Sequence, residues 1–501
     1  MIFLLFSCQT EMLVEEKVYI EDPSTDDSGA GVEEINVSFD DAKSHLEALQ
    51  LIADSNNGNR AVGTSGYDAS VEYVAEKLSS AGLEVEVLEF SLSFFRVLGD
   101  PQLIVDGEQI TELSTFEYSP SGEVQALAAA VDVLIPPGTN ANTSTSGCEF
   151  ADFDSFPAGR IAIIQRGTCT FAVKVQNAQM AGAVAVVIFN EGQADRQDVV
   201  GGTLGPEQFD IPVLGTSYGR GVELIEMAAQ GKSFFLSADT EMSEVESKSL
   251  LATLNGGDPS QKVILGAHLD SVPAGPGIND NGSGVASVLA VAESLAAQEF
   301  VSNNQLQFAF WGAEEVGLVG SYKFIDSLTS SELASIAAYL NFDMVASPNF
   351  IRFIYDGDGS YYGESGPNGS AEIENFFVSY FDDLNLQTEP TAFDGRSDYG
   401  PFIAVGVPAG GLFSGAEQSK TPGEANIYGG DANSPYDACY HESCDTDTNI
   451  NDIGFSQMLN AIEASAKWAA DQQFGSRRAT VSPSWKQKFS NFTYRGCKIQ
   501  K

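Results

Sequence analysis

From about Leu250 to Phe474 short apolar runs alternate with stretches of helical periodicity, and this alternation restricts the chain to a layered α/β arrangement. The expected strands are Lys262–Ala267, Gln305–Trp311, Ala338–Asp343, Phe350–Tyr355 and Val407–Phe413. Their near-continuous apolar character predicts a mostly parallel central sheet flanked by helices. Ahead of it, Leu46, Leu49 and Ile52, then Val71, Val74 and Leu78, fall at helical spacing and predict two helices joined by a loop over Asn59–Gly66. Leu83–Leu92 alternates apolar and acidic residues, as a strand with one wet face does.

The character changes between about 120 and 235. Short strands are expected at Val131–Ile135, Ile161–Ile164 and Val184–Phe189, with one helix at Phe171–Ala181. No paired acid, base or nucleophile occurs there, so this stretch reads as a non-catalytic, mainly-β insert. The expected organisation is a flexible leader at 1–35, a main α/β unit at 36–119 and 236–474, the insert at 120–235, and a basic tail at 475–501.

Charge excludes one class of partner. The chain has 25 Lys+Arg against 70 Asp+Glu, a net charge of −45, and such a surface repels phosphate backbones. Six cysteines occur without any CxxC spacing, so a structural zinc site is not expected. Cys148 with Cys169 and Cys439 with Cys444 fit disulfides in an oxidising compartment, against the competing reading of free thiols in a cytosolic protein. Leu5-Phe6-Ser7-Cys8 resembles a lipobox, in which Cys8 carries a lipid anchor after export. No later segment approaches the length of a membrane-spanning helix.

Only three histidines are present. His45 reads as an exposed helix residue. The other two belong to a pattern of chemistry-bearing residues at strand ends, where open sheets place their ligand sites. Strand Val263–Leu265 runs into Gly266-Ala267-His268-Leu269-Asp270, and Asp280 precedes a long Ala/Val-rich helix. Leu306–Phe310 leads to Glu314-Glu315, Tyr339–Phe342 to Asp343, and His441 lies between Cys439 and Cys444. So many acids at one sheet edge repel each other without a cation. Imidazole mixed with carboxylate suits Zn²⁺, and a carboxylate bridging two ions gives a two-metal hydrolase.

These motifs, in this order, resemble secreted bacterial leucine aminopeptidases with two co-catalytic zinc ions, of the aminopeptidase S and aminopeptidase Y-like kind in clan MH. Gly159–Gly167 and Lys174–Ala178 resemble the protease-associated (PA) domain found in several secreted peptidases. The resemblance implies a phosphorylase/hydrolase-like zinc peptidase fold, two Zn²⁺ per chain, and peptides with free N-termini as substrates, preferably with large apolar first residues. It places His268 and Asp343 on one zinc, Glu315 and His441 on the other, and Asp280 between them. It makes Asp270 the carboxylate that orients His268, Glu314 the general base and Tyr440 the oxyanion donor. Arg396 and Asp394 match substrate contacts, and the peptide after Asp280 is implied to be cis. Calcium is not readable from the residues. The expected protein is a monomer, secreted or held at the cell envelope through Cys8. The competing function is a catalytically silent peptidase-like module that displays the PA domain for binding.

Overall fold

Lys262–Ala267 is apolar on both sides, and it lies within a strand at the heart of the central sheet. The computed structural model describes residues 37–205 and 209–474; the leader, Cys8 and the basic tail fall outside the described residues. The central sheet has eight strands: β1 (Glu84–Val97), β2 (Thr240–Thr253), β3 (Asp258–His268), β4 (Asn304–Trp311), β5 (Ile336–Phe342), β6 (Phe353–Tyr355), β7 (Glu389–Thr391) and β8 (Ala409–Phe413). Their order is β1-β2-β4-β3-β5-β8-β6-β7.

The inner strands β4, β3, β5 and β8 pair in parallel, and so do β6 and β7. The pairs β1–β2, β2–β4 and β6–β8 are antiparallel. The sheet is therefore mixed and not mostly parallel. The physical reason is the insert: the chain leaves the sheet at Val97 and re-enters at Thr240, and the two flanking segments zip together as one long ribbon. Strand β1 sits at the sheet edge, and over Leu88–Leu92 its burial alternates, as one covered and one wet face require.

Helix Gly284–Ala297 is buried along most of its length and packs among Phe39–Ser55, Ser65–Ser80 and Asp452–Asp471. The first two start where Ser38 and Thr64 accept N–H groups of the first turn, an arrangement that offsets the unpaired amides of a helix start. On the opposite face Trp311, Phe324, Tyr339 and Phe402 form a second core, with Tyr339 and Phe402 stacked at 3.9 Å. His45 is only 2 % exposed, contrary to the expected surface position. Its two ring nitrogens meet the Tyr73 hydroxyl at 2.7 Å and Glu293 at 3.1 Å, so its polarity is satisfied between helices.

The second sheet draws its eight strands from Gln102 to Ala238. The expected strand at Val131–Ile135 is instead Gly122–Val131. It stops because Asp132 turns to φ 41° and Pro136 has no N–H to offer a ladder. Two helices, Phe171–Met180 and Tyr218–Ala229, accompany this sheet where one was expected. Cys148 and Cys169 form a disulfide across a separation of 21 residues, worth about 3 kcal/mol in the loop-entropy picture.

Candidate metal centre

Because β3, β4 and β5 run parallel, their carboxyl ends reach the same edge. His268 closes β3, Glu314 and Glu315 follow β4 by three and four residues, and Asp343 follows β5 directly. The loop before helix Gly284–Ala297 contributes Asp280, and a loop near the C-terminal helix contributes His441. His268 Nε2 lies 3.2 Å from Asp280 Oδ1 and 3.3 Å from Asp343 Oδ1. His441 Nε2 lies 3.2 Å from Asp280 Oδ2 and 3.2 Å from Glu315 Oε2. The two oxygens of Asp280 thus face different histidines. Glu314 Oε2 stands 3.9 Å from His268 Nε2. All five expected ligands and the expected base converge here.

The backbone beneath is tightly specified. Gly277 sits at φ 63°, and a Cβ there would meet the Asp280 carbonyl at 2.4 Å, so only glycine fits. The Asp280–Asn281 peptide is cis, and Asn281 Nδ2 donates to the Phe342 carbonyl at 3.0 Å. Asp445 accepts the N–H groups of Asn279 at 2.8 Å and Asp280 at 3.0 Å, tying the His441 loop to the Asp280 loop. Cys439 and Cys444 are joined, which constrains His441 in the left-handed region at φ 59°. Asp270 accepts the N–H groups of Glu314 and Glu315 at 3.0 and 3.2 Å. Its main-chain oxygen, 3.1 Å from His268 Nδ1, is nearer that ring than its carboxylate at 3.8 Å.

Arg60, read from the sequence only as part of a loop, is completely buried. Its guanidinium donates to the carbonyls of Leu269, Pro276 and Gly277 and so pins the segment between His268 and Asp280. Burial lowers this guanidinium to about 10 while Asp270, Asp445 and Asp280 oppose the fall. A lone arginine within a loop of small residues carries no periodic signal, and Asp445 finds its partners more than 160 residues away.

Without a cation, burial favours the protonated form of the two glutamates. Burial pushes Glu314 well up, reinforced by Asp343, Glu315 and Asp398. Glu315 rises to about 7 through burial and the neighbouring Asp280. Burial would lower His441, but Glu315 and Asp280 carry it up to about 11. Burial would raise Asp280, yet hydrogen bonds from His268 and His441 hold it below the usual carboxylate range. Two imidazoles and two carboxylates around a shared aspartate are a donor set that zinc displaces protons from, so the residues present fit this metal.

A cleft of about 390 Å³ opens from the cluster and is walled by Met344, Phe353, Tyr355, Phe413 and Tyr436. Tyr440 stacks on His441 at 3.9 Å. Its hydroxyl accepts from Arg396 at 3.1 Å, and Glu417 holds Arg396 through contacts of 2.9 and 3.3 Å. Asp394 lines the same cleft and accepts the Tyr399 hydroxyl at 2.8 Å and the Arg396 N–H at 3.0 Å. Ser397 donates to Asp343 at 2.6 Å.

The model of Peptidase family M28 matches residues 249–466, and that of the PA domain matches residues 130–224. An aminopeptidase of Pseudomonas aeruginosa (strain UCBPP-PA14) is 44% identical over 432 residues, which cover 84% of this chain and 79% of that protein. The "Probable lipoprotein aminopeptidase LpqL" of Mycobacterium tuberculosis is 42% identical, covering 83% of this chain and 81% of its own length. Among solved structures, an aminopeptidase from Aneurinibacillus sp. strain AM-1 superposes with a TM-score of 0.65 at 24% identity, over 89% of this chain and 97% of that one. A zinc aminopeptidase from Bacillus subtilis gives 0.60 at 23% identity, over 90% and 100%. At these identities the structural likeness establishes the fold.

Proposed function

This chain belongs to peptidase family M28 and carries a PA domain, and from that premise we propose that it is a zinc-dependent aminopeptidase that removes single residues from the amino ends of peptides. The observation that carries the reading is Asp280, whose two oxygens each stand 3.2 Å from a different histidine. His268 and Asp343 would hold one zinc, Glu315 and His441 the other, with Asp280 shared. When bound, such ions make a water nucleophilic at neutral pH and polarise the scissile carbonyl.

The remaining chemistry belongs to side chains. Glu314, buried and inclined to hold a proton, takes one from the attacking water and returns it to the departing amine. Arg396 occupies a lone pair of the Tyr440 hydroxyl, leaving its O–H free to donate to the developing oxyanion. A carboxylate-rich end favours the cationic amino terminus of a peptide. Met344, Phe353 and Phe413 offer apolar walls for the first side chain, in keeping with large apolar residues there. The catalytic unit is the first sheet with its helices, and among the described residues the PA insert supplies no group to the cleft. The disulfides suit an oxidising compartment. We read the protein as exported, free or anchored through Cys8.

The test is hydrolysis of leucine p-nitroanilide by the zinc-loaded chain. Activity is expected, lost on chelation and restored by zinc. An inactive zinc-loaded protein would instead support the binding-module reading, and activity indifferent to chelation would remove the metal from the account.

A further inference from the structure

The substrate cleft carries a charge that apolar walls leave unexplained. Phe413 pairs with Phe353, and Phe353 with Glu389, while Asp343 lies one residue beyond the β5–β8 pairing. These four residues therefore share a cross-strand row, and all four line the cleft. Three strand spacings of about 4.8 Å set the Glu389 backbone roughly 14 Å from that of Asp343. The two phenylalanines, 5.8 Å apart and stacked, form the floor between them. Tyr436 packs edge-on against Phe353 at 5.4 Å. Glu389 thus closes the end of the cleft opposite the metal ligands.

Among the described residues, no cation pairs with the half-buried Glu389 carboxylate. Burial raises it and Glu424 raises it further, with no hydrogen bond opposing. Glu424 also lines the cleft and is fixed there, accepting the Tyr436 hydroxyl at 3.0 Å and the Thr421 N–H at 2.6 Å. Arg352 is engaged elsewhere, lying over Phe350 and Tyr428 and donating to the Gln387 carbonyl. Two acids facing one partly desolvated space repel each other, and an incoming cation relieves both costs. At the rim Asp356 accepts the N–H groups of Tyr361 and Tyr362 at 3.1 and 2.7 Å, fixing the backbone that carries two exposed aromatic rings. Such rings attract cations as well as apolar groups.

Resting on the aminopeptidase reading, we propose that Glu389, backed by Glu424, is a specificity residue that admits peptides beginning with lysine or arginine. The aliphatic stem lies over Phe353 and Phe413, and the charged head meets Glu389. Leucine uses the same floor and stops short of the acid, so one cleft serves both side-chain classes.

The experiment compares kcat/KM for leucine, lysine, arginine and glutamine p-nitroanilides in the zinc-loaded full chain, in Glu389→Gln, and in Glu47→Gln. The last removes an exposed acid from helix Phe39–Ser55 and controls for net charge. The native chain is expected to cleave lysine at least tenfold better than the neutral glutamine. In Glu389→Gln the lysine-to-leucine ratio is expected to fall tenfold or more, chiefly through KM, and in Glu47→Gln to stay as in the native chain. Native cleavage of leucine without lysine, or a ratio unchanged in Glu389→Gln, overturns the proposal. Calorimetric binding of L-lysinamide and L-leucinamide reads the cleft apart from hydrolysis. A lysinamide preference lost in Glu389→Gln supports the proposal even where no anilide is cut, an outcome that would count against the parent reading alone. Equal lysinamide binding by both proteins overturns it.

Discussion

Replacing Arg60 by methionine tests whether a buried cation holds the loop that leads to Asp280. The guanidinium is fully buried and donates to three carbonyls, those of Leu269, Pro276 and Gly277. Methionine fills much of the stem volume and donates nothing, so three buried carbonyls each lose a partner at about 1–3 kcal/mol. Against this, the guanidinium pushed down to about 10 by burial represents roughly 3 kcal/mol of charge burial that the variant no longer bears. Asp270, Asp445 and Asp280 also lose a stabilising neighbour. The balance is a net loss of about 3 kcal/mol, comparable to breaking one partner of a buried ionic set. Urea unfolding of the metal-stripped protein measures it. Zinc titration of the folded variant should in addition show affinity weakened by about 10–100-fold, as when an outer support of a metal ligand is removed. A stability within about 0.5 kcal/mol of the native chain, the range of an ordinary surface change, refutes the clamp.

Two further predictions follow from the same structure. Glu314→Gln should keep its zinc, because Asp270 still receives the residue 314 and 315 N–H groups, while kcat falls by about 10²–10⁴; loss of metal would make Glu314 a ligand instead. Lys174, buried in the PA insert, is pushed down to about 8 by burial, so between pH 8 and 10.5 the unfolded chain binds more protons and stability rises with pH by about 3 kcal/mol in total. That contribution is complete above 10.5 and is lost as pH falls through 8; in Lys174→Met this component of the urea-midpoint rise should vanish, and identical pH profiles for both proteins would contradict it.

Local patterns, together with the family resemblance, point to the candidate centre from the sequence. His268, Glu314, Glu315 and Asp343 each follow an apolar run, and parallel strands deliver such positions to one edge. Periodicity also located helices Phe39–Ser55 and Ser65–Ser80 closely. What stayed hidden depended on pairing between distant segments. The β1–β2 ribbon joins residues on either side of the insert, so no local signal announced a mixed sheet. His45 looked like a surface residue because Tyr73 and Glu293 come from other helices. Arg60 and Asp445 act through backbone carbonyls and amides, which leave no trace in side-chain patterning. Glu389 gains its meaning only from the row that sets it beside Phe353 and Phe413.

Anomalous diffraction at the zinc edge, from crystals of the zinc-loaded protein, addresses the shared role of Asp280 most directly. Two peaks about 3.5–4 Å apart are expected, one beside each oxygen of that carboxylate. A single peak, or two peaks with Asp280 touching only one, would contradict that role.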